Sequence, residues 1–243
     1  KPLALTYHEG RELVQLAEET QQILMVGHIL EYHPAILIIR KLMGEGSLGD
    51  LRYMTSSRLN LGKIRTEENV LWSFAPHDIA IIQRLAGGLP MHVMATGSAF
   101  LQEKIPDTTH SHLFFNSGAH AHIHVSWLHP FKEQRLVIVG SQAMVTYNDV
   151  RKELLFYPHS IDMESSGPPV PTRAEPQPLQ FGDDEPLALE CAAFLEAVRS
   201  RTAPLTDGSS GLDVLQTLET LQISMDRKGQ KVPLAEITTE TTA

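Results

Sequence analysis

His120, His122 and His124 stand two residues apart, the densest run of metal-binding side chains in this chain. On a strand, alternate residues share a face, so three imidazoles there line up about 7 Å apart. Two such imidazoles can ligate zinc, and Asp107, His110 and His112 on an adjacent strand can complete a site, which would make a metal hydrolase. The same alternation puts Ala121, Ile123 and Val125 on the apolar side. The histidines then equally suit the polar face of a half-buried sheet, or a face shown to a second subunit, with no metal.

A second set lies between Asn60 and Asp78, on a long polar connection between a strand end and a helix start, where binding residues concentrate. Lys63 and Arg65 are cations suited to phosphate, and Trp72 offers a stacking or packing face. His77, beside Asp78 and early in the expected helix, has an ordinary pKa near 6.5 that suits a general base. The bland alternative is a capping loop with a solvated basic pair, a core tryptophan and, in Asp78, a charge that only stabilises a helix start. His28, Tyr32 and His33 follow an apolar run just past its end, the edge that faces the ligand crevice in open α/β sheets. They also suit a helix-entry loop held by Pro34.

Gly44-Glu45-Gly46-Ser47-Leu48-Gly49 spells the dinucleotide fingerprint, but in the wrong place. That motif needs a strand before it and a helix after it, because the pyrophosphate sits on helix N-terminal amides. Here a helix ends at Gly44 and a strand begins near Leu51, so a C-cap and turn are expected.

The elements that carry these groups follow from periodicity. Thr6 and Glu9 form a capping box ahead of a helix with Leu13, Leu16 and Ala17 on one face. Ile23 to Gly27 reads as a strand buried on both sides, half of an α/β unit. A helix follows from Pro34 to about Met43, with proline at its tolerated first turn. Strands are expected at Leu51–Asn60, Met91–Leu101, Thr109–Asn116, His120–Trp127, Glu133–Gly140, Met144–Asn148 and Leu154–Tyr157. Asn116-Ser117-Gly118 makes a hairpin turn, and short connections imply antiparallel pairing. A helix from about Ser73 to Leu85 interrupts the series, and His129 to Lys132 reads as a strand-end turn rather than a site. Ser165–Pro186 is expected to be an exposed loop. Two helices close the chain, one spacing Leu187, Cys191, Phe194, Leu195 and Val198, the other capped by Asp207 with Leu212, Leu215, Leu218 and Leu221. The fold class is α+β: one large open antiparallel sheet with helices on one face and a short α/β fragment in front.

Composition narrows the partners. The 243 residues are 42% hydrophobic with a net charge of −9 and no Lys/Arg cluster, so no nucleic-acid partner is expected. No apolar run nears the roughly 20 residues of a membrane helix, so no membrane partner is expected and a cytoplasmic location is. Cys191 is the single cysteine, which excludes an intrachain disulfide. The chain opens on Lys1 rather than Met, and more sequence upstream is expected.

Lys1-Pro2 at the head of an α/β half-unit, Gly27-His28 followed by Tyr32-His33-Pro34, and a histidine early in a helix together resemble the glucose–fructose oxidoreductase / inositol dehydrogenase (Gfo/Idh/MocA) family. Asn60 to Asp78 and Val125 to Lys132 look most like its nucleotide-sugar dehydrogenase branch. The resemblance implies that residues 1–30 are the C-terminal remnant of a Rossmann dinucleotide-binding domain and 31–243 a substrate-binding and oligomerisation domain. It implies NAD or NADP as cofactor, with Lys1, Pro2 and His28 on the cofactor side, and a sugar or nucleotide-sugar substrate. Lys1 and His77 would be catalytic, the histidine taking the proton of the hydroxyl being oxidised. Tyr32, Asn60, Lys63, Arg65, Trp72 and Asp78 would bind substrate, with Lys63 and Arg65 on a diphosphate. The family often has Asp four residues before this histidine, where this chain has Ser73. A homo-oligomer through the open sheet face is expected. The competing expectation is a truncated non-catalytic module that binds sugar or oligomerises.

Overall fold

The structure, a computed structural model, describes residues 1–162, 168 and 170–239. The first helix, α1 (Tyr7–Glu19), opens on the expected capping box: Thr6 Oγ1 accepts from Glu9 N at 3.2 Å and Glu9 Oε2 from Thr6 N at 3.1 Å. The run Ile23–Gly27 is not a strand. Met25 makes only an isolated bridge to Asp207, because the one backbone beside it is the 206–208 turn. A 3-10 turn (Ile29–Tyr32) then leads into α2 (Pro34–Gly44), capped by His33 Nδ1, which accepts from Ala35 N at 3.1 Å. The glycine motif is the expected turn: Gly46 and Gly49 take φ of +74° and +68°, and a Cβ on Gly49 would lie 2.3 Å from Ser141 Oγ.

Nine strands make one open sheet, in the order β10-β7-β6-β5-β1-β4-β3-β2-β11. They are β1 (Leu51–Leu59), β2 (His92–Ser98), β3 (Thr108–Phe114), β4 (His120–Ser126), β5 (Glu133–Gly140), β6 (Met144–Asn148), β7 (Glu153–Tyr157), β10 (Gln177–Pro178) and β11 (Val232–Pro233). Two further strands, β8 (Ser160–Asp162) and β9 (Val170–Thr172), pair apart from it. The expected loop Ser165–Pro186 therefore contains β9 and β10; its residues 165–167 and 169 lie outside the described residues.

The expected antiparallel sheet has one exception that matters. β1 lies between β4, to which it is parallel, and β5, to which it is antiparallel. The chain must therefore cross from β4 to β5 over the C-terminal end of β1. Residues 127–132 make that crossing, which brings them against Leu59 and Asn60.

Helices cover one sheet face. α3 runs Val70–Ala86, one turn earlier than the expected Ser73 start. Asn69 caps it, and fully buried Val70, Leu71, Ala75, Ile79 and Ile82 anchor it on the sheet. Pro76 sits inside the helix and leaves the Trp72 carbonyl without its usual donor. α5 (Gly208–Asp226), capped by Asp207, buries Val214, Leu215, Leu218 and Leu221 against α3, β2 and α1. α4 (Pro186–Ser200) forms where expected, but it packs through Glu190 and Ala197 and leaves Leu187, Phe194, Leu195 and Val198 exposed. A short α6 (Glu236–Thr239) ends the described chain. No described helix is long and apolar enough to cross a membrane.

Candidate functional site

A cleft of about 260 Å³ lies where β1 ends, between α3 and the β4–β5 crossing. Lys1, Arg58, Asn60, Arg65, Ser73, His77, Lys132 and Gln134 contribute its polar wall. Larger hollows of about 460 and 540 Å³ lie between α1 and the start of α5 and beside β7. Neither of these, nor a hollow of about 380 Å³ beside Arg84, gathers a buried cation and an unpartnered imidazole, so the smaller cleft is the chemical one.

Each wall residue is placed by its element. Lys1 is carried in by α1, whose Tyr7 N donates to Glu219 Oε2 on α5 at 2.6 Å. Its Nζ donates to the Ser73 carbonyl at 3.0 Å, one residue past the carbonyl that Pro76 deprives of a donor. Lys1 and His77 both line this cleft. Arg58 sits near the end of β1 with its side chain only 14% exposed. Its Nε donates to Asp78 Oδ2 at 2.8 Å and its Nη2 to Asp78 Oδ1 at 3.1 Å, while Ser56 Oγ donates to Oδ1 at 2.7 Å. Burial opposes the Arg58 charge, but Asp78 outweighs it and raises its pKa. With its amide turned to satisfy both neighbours, Gln134 accepts from Arg58 Nη1 at 3.1 Å and donates to Asp149 Oδ2 at 2.6 Å. Asp78 thus faces Arg58 and holds it in place.

His77 is in the third turn of α3, with Nδ1 buried and unpartnered. His28, 1% exposed, has both ring nitrogens unpartnered, and its ring stands edge-on to that of His77 at 6.3 Å. Burial, then Lys1, Arg58 and His28, pushes His77 down to about 2. Burial, with Lys1 and Arg84 adding, pushes His28 down to about 4. Lys1 is also lowered, first by burial and then by Arg58. Both imidazoles are therefore neutral at pH 7 with a free lone pair.

This has a measurable consequence. The unfolded chain protonates these imidazoles near pH 6.5, the folded chain only far below that. Unfolding then takes up protons, so stability falls as the pH drops from about 6.5 toward 4, by up to about 1.4 kcal/mol per pH unit for each histidine. The melting temperature at pH 5 should lie below that at pH 7, and the gap should narrow in His28→Asn and in His77→Asn. An equal gap in both variants would assign the acid sensitivity to other groups.

Other expected site residues lie elsewhere. Tyr32 is buried with its hydroxyl 3.2 Å from Thr206 Oγ1, and does not line the cleft. Trp72 donates from Nε1 to Gln222 at 3.0 Å, joining α3 to α5. Lys63 is exposed and outside the cleft, whereas Arg65 lines it and pairs with Glu68 at 3.2 Å. Sequence reasoning missed Arg58, Gln134 and Lys132. Lys132 lies in the turn that local pattern assigned no role, and only the crossing over β1 brings it here.

The expected zinc set does not assemble. Asp107 is fully buried, its Oδ2 accepting from Phe100 N and Leu101 N. His120, His122 and His124 each pair across to β3 rather than with one another. Among the described residues no group of three or more His, Cys, Asp or Glu could hold a metal ion.

An open mixed sheet with helices on one face, and a cation-rich cleft at the end of β1, define the α+β class of this chain. Residues 36–146 match the GFO/IDH/MocA C-terminal domain, a domain of the family that the sequence resembles. The chain is 25% identical over 227 residues to a UDP-N-acetylglucosamine 3-dehydrogenase of Acidithiobacillus ferrooxidans, covering 93% of this chain and 70% of that protein. The solved structure of that enzyme superposes with a TM-score of 0.81 at 24% identity, again over 93% of this chain and 70% of the other. A levoglucosan dehydrogenase in complex with NADH and levoglucosan superposes with a TM-score of 0.81 at 18% identity, over 97% of this chain and 72% of that one. A 2,7-anhydro-N-acetylneuraminate hydratase of Mediterraneibacter gnavus is 29% identical over 106 residues, which is 40% of this chain and 28% of that protein.

Proposed function

We propose that this chain is the substrate-binding part of an NAD(P)-dependent dehydrogenase that oxidises a hydroxyl of a nucleotide sugar. Residues 1–30 would belong to the dinucleotide-binding domain, and 31–243 would bind substrate and form a homo-oligomer through the open sheet face. One observation carries the reading: Lys1, Arg58, Arg65 and Lys132 converge on a cleft with neutral His77, in a chain whose net charge is −9. Such a local field suits an anionic ligand and a proton transfer together.

The orphaned nitrogens of buried His28, beside Lys1, fit the hydrogen-bonding end of a nicotinamide ribose. No glycine loop among the described residues fits its diphosphate, since the one fingerprint is a turn before β1. Nicotinamide, when bound, supplies the hydride acceptor. Lys1, as ammonium tethered to the Ser73 carbonyl, would polarise the substrate oxygen as it becomes a carbonyl. His77 would take the hydroxyl proton on its free lone pair. Arg65 and Lys132 would hold the diphosphate at the outer rim, and Asn60 would line the sugar site. Pro2 adjoins Lys1 and fixes the backbone that delivers it.

The test is reduction of NAD or NADP by UDP-sugars and by the matching free sugars, using the full-length protein. UDP-sugars should be oxidised, and Lys132→Glu should raise their KM about tenfold or more with little change in kcat. Preference for uncharged sugars, or a KM indifferent to Lys132→Glu, would overturn the diphosphate assignment.

A further inference from the structure

The open face of the sheet carries a histidine arrangement that the proposed dehydrogenase does not use. β3 and β4 run antiparallel with His110 opposite His124 and His112 opposite His122. The two pairs behave differently. His110 and His124 stack flat at 4.1 Å between centroids, and His124 Nε2 lies 3.4 Å from Thr108 Oγ1. His112 and His122 stand edge to face at 4.6 Å and point Nδ1 at Nδ1, 2.8 Å apart. One of those nitrogens donates a proton to the other, so the pair already encloses one electrophile between two lone-pair positions.

We propose that His112 and His122 form a two-imidazole site for a borderline divalent cation, Cu2+ or Zn2+. Two nitrogens about 2.05 Å from one ion at a right angle lie about 2.9 Å apart, so a cation replaces the shared proton with little movement. That proton moves to the Nε2 of the same ring, leaving both Nδ1 atoms as ligands. The strands under the pair are stiff, because the intervening Leu113, Ala121 and Ile123 are buried in the core on the opposite face. Burial, together with neighbouring histidines, holds both imidazoles below their ordinary pKa, so both are neutral and able to ligate at pH 7. His122 and His124 share a strand, but each ring is turned onto its partner on β3, so the cross-strand pair and not the in-strand triple brings two nitrogens together. Two imidazoles leave further positions for water or for side chains of a second copy laid on this face. Imidazole pairs favour Cu2+ over Zn2+.

Cu2+ titrated into the intact protein near neutral pH, in a non-coordinating buffer, should fill one site ahead of the remaining histidines, with an electron-spin spectrum showing two equatorial nitrogens. Zn2+ should displace it only in excess. His112→Gln and His122→Gln should each weaken that site tenfold or more, while His120→Gln, on the same face without an imidazole partner, should leave it unchanged. All three side chains reach solvent, and melting curves will show that the variants fold. The proposal fails if neither pair variant weakens binding, if His120→Gln weakens it equally, or if the spectrum shows a single nitrogen.

Discussion

Replacing His77 with alanine in the full-length protein should lower turnover by about 10²- to 10⁴-fold while leaving KM for the sugar within a fewfold. The reason is geometric. His77 is the one neutral imidazole that lines the cleft, its Nδ1 has no protein partner, and Lys1 beside it is committed to the Ser73 carbonyl. A cation cannot take the hydroxyl proton, and the cleft wall contains no carboxylate, since Asp78 is turned onto Arg58. The fold should survive, because the ring is buried without hydrogen bonds at Nδ1 and its loss removes an uncompensated polar group. Lys1→Ala should also reduce turnover, and an additional loss in the double variant far smaller than the product of the single ones would show the two acting on one step. Unchanged turnover in His77→Ala would remove the histidine from proton transfer and leave the cleft a binding site only.

Asp78→Ala should cost about 3–5 kcal/mol of stability, more than the loss of any other side chain around the cleft. Asp78 is 4% exposed and accepts two bonds from Arg58 and one from Ser56. Removing it leaves a guanidinium in a nearly dry place, with only the Gln134 amide on its other side. The double variant Arg58→Met with Asp78→Leu should recover much of the loss, since a packed apolar pair is often no worse than a buried ion pair. That recovery separates the cost of an orphaned charge from the cost of a cavity. Arg58→Met should also relieve part of the field that keeps His77 neutral, moving the acidic limb of the pH–rate profile toward higher pH. A stable Asp78→Ala protein would mean that the pair is solvated and does not organise the cleft.

Much of this was local enough to read. The seven main strands follow from alternation, and the caps at Thr6 and Asp207 from side chains that accept from nearby N–H groups. His77 and the resemblance built around Lys1-Pro2 were legible as residue types in order. Arg58 was not, because on an alternating strand it reads as one more polar residue; its burial depends on Asp78, twenty positions away on a helix. Tyr32 and Trp72 misled for a related reason. Aromatic rings with a polar atom suit both a ligand site and a structural bond, and Thr206 and Gln222, far along the chain, decided for the second.

By itself the sequence determined where β1–β7 and the main helices form, because hydrogen-bond periodicity and side-chain alternation act over a few residues; it did not determine Ile23–Gly27, whose strand pattern finds no sheet to join. It also determined the imidazole and basic side chains available to any cleft, while burial in the fold makes the imidazoles neutral. Only the tertiary structure decided which groups meet. Placing β1 between β4 and β5 forces the chain over the end of β1, so Lys132, Asn60 and Arg58 come to face Lys1 and His77. Strand order is set by the packing of whole faces, and no short window of sequence contains it.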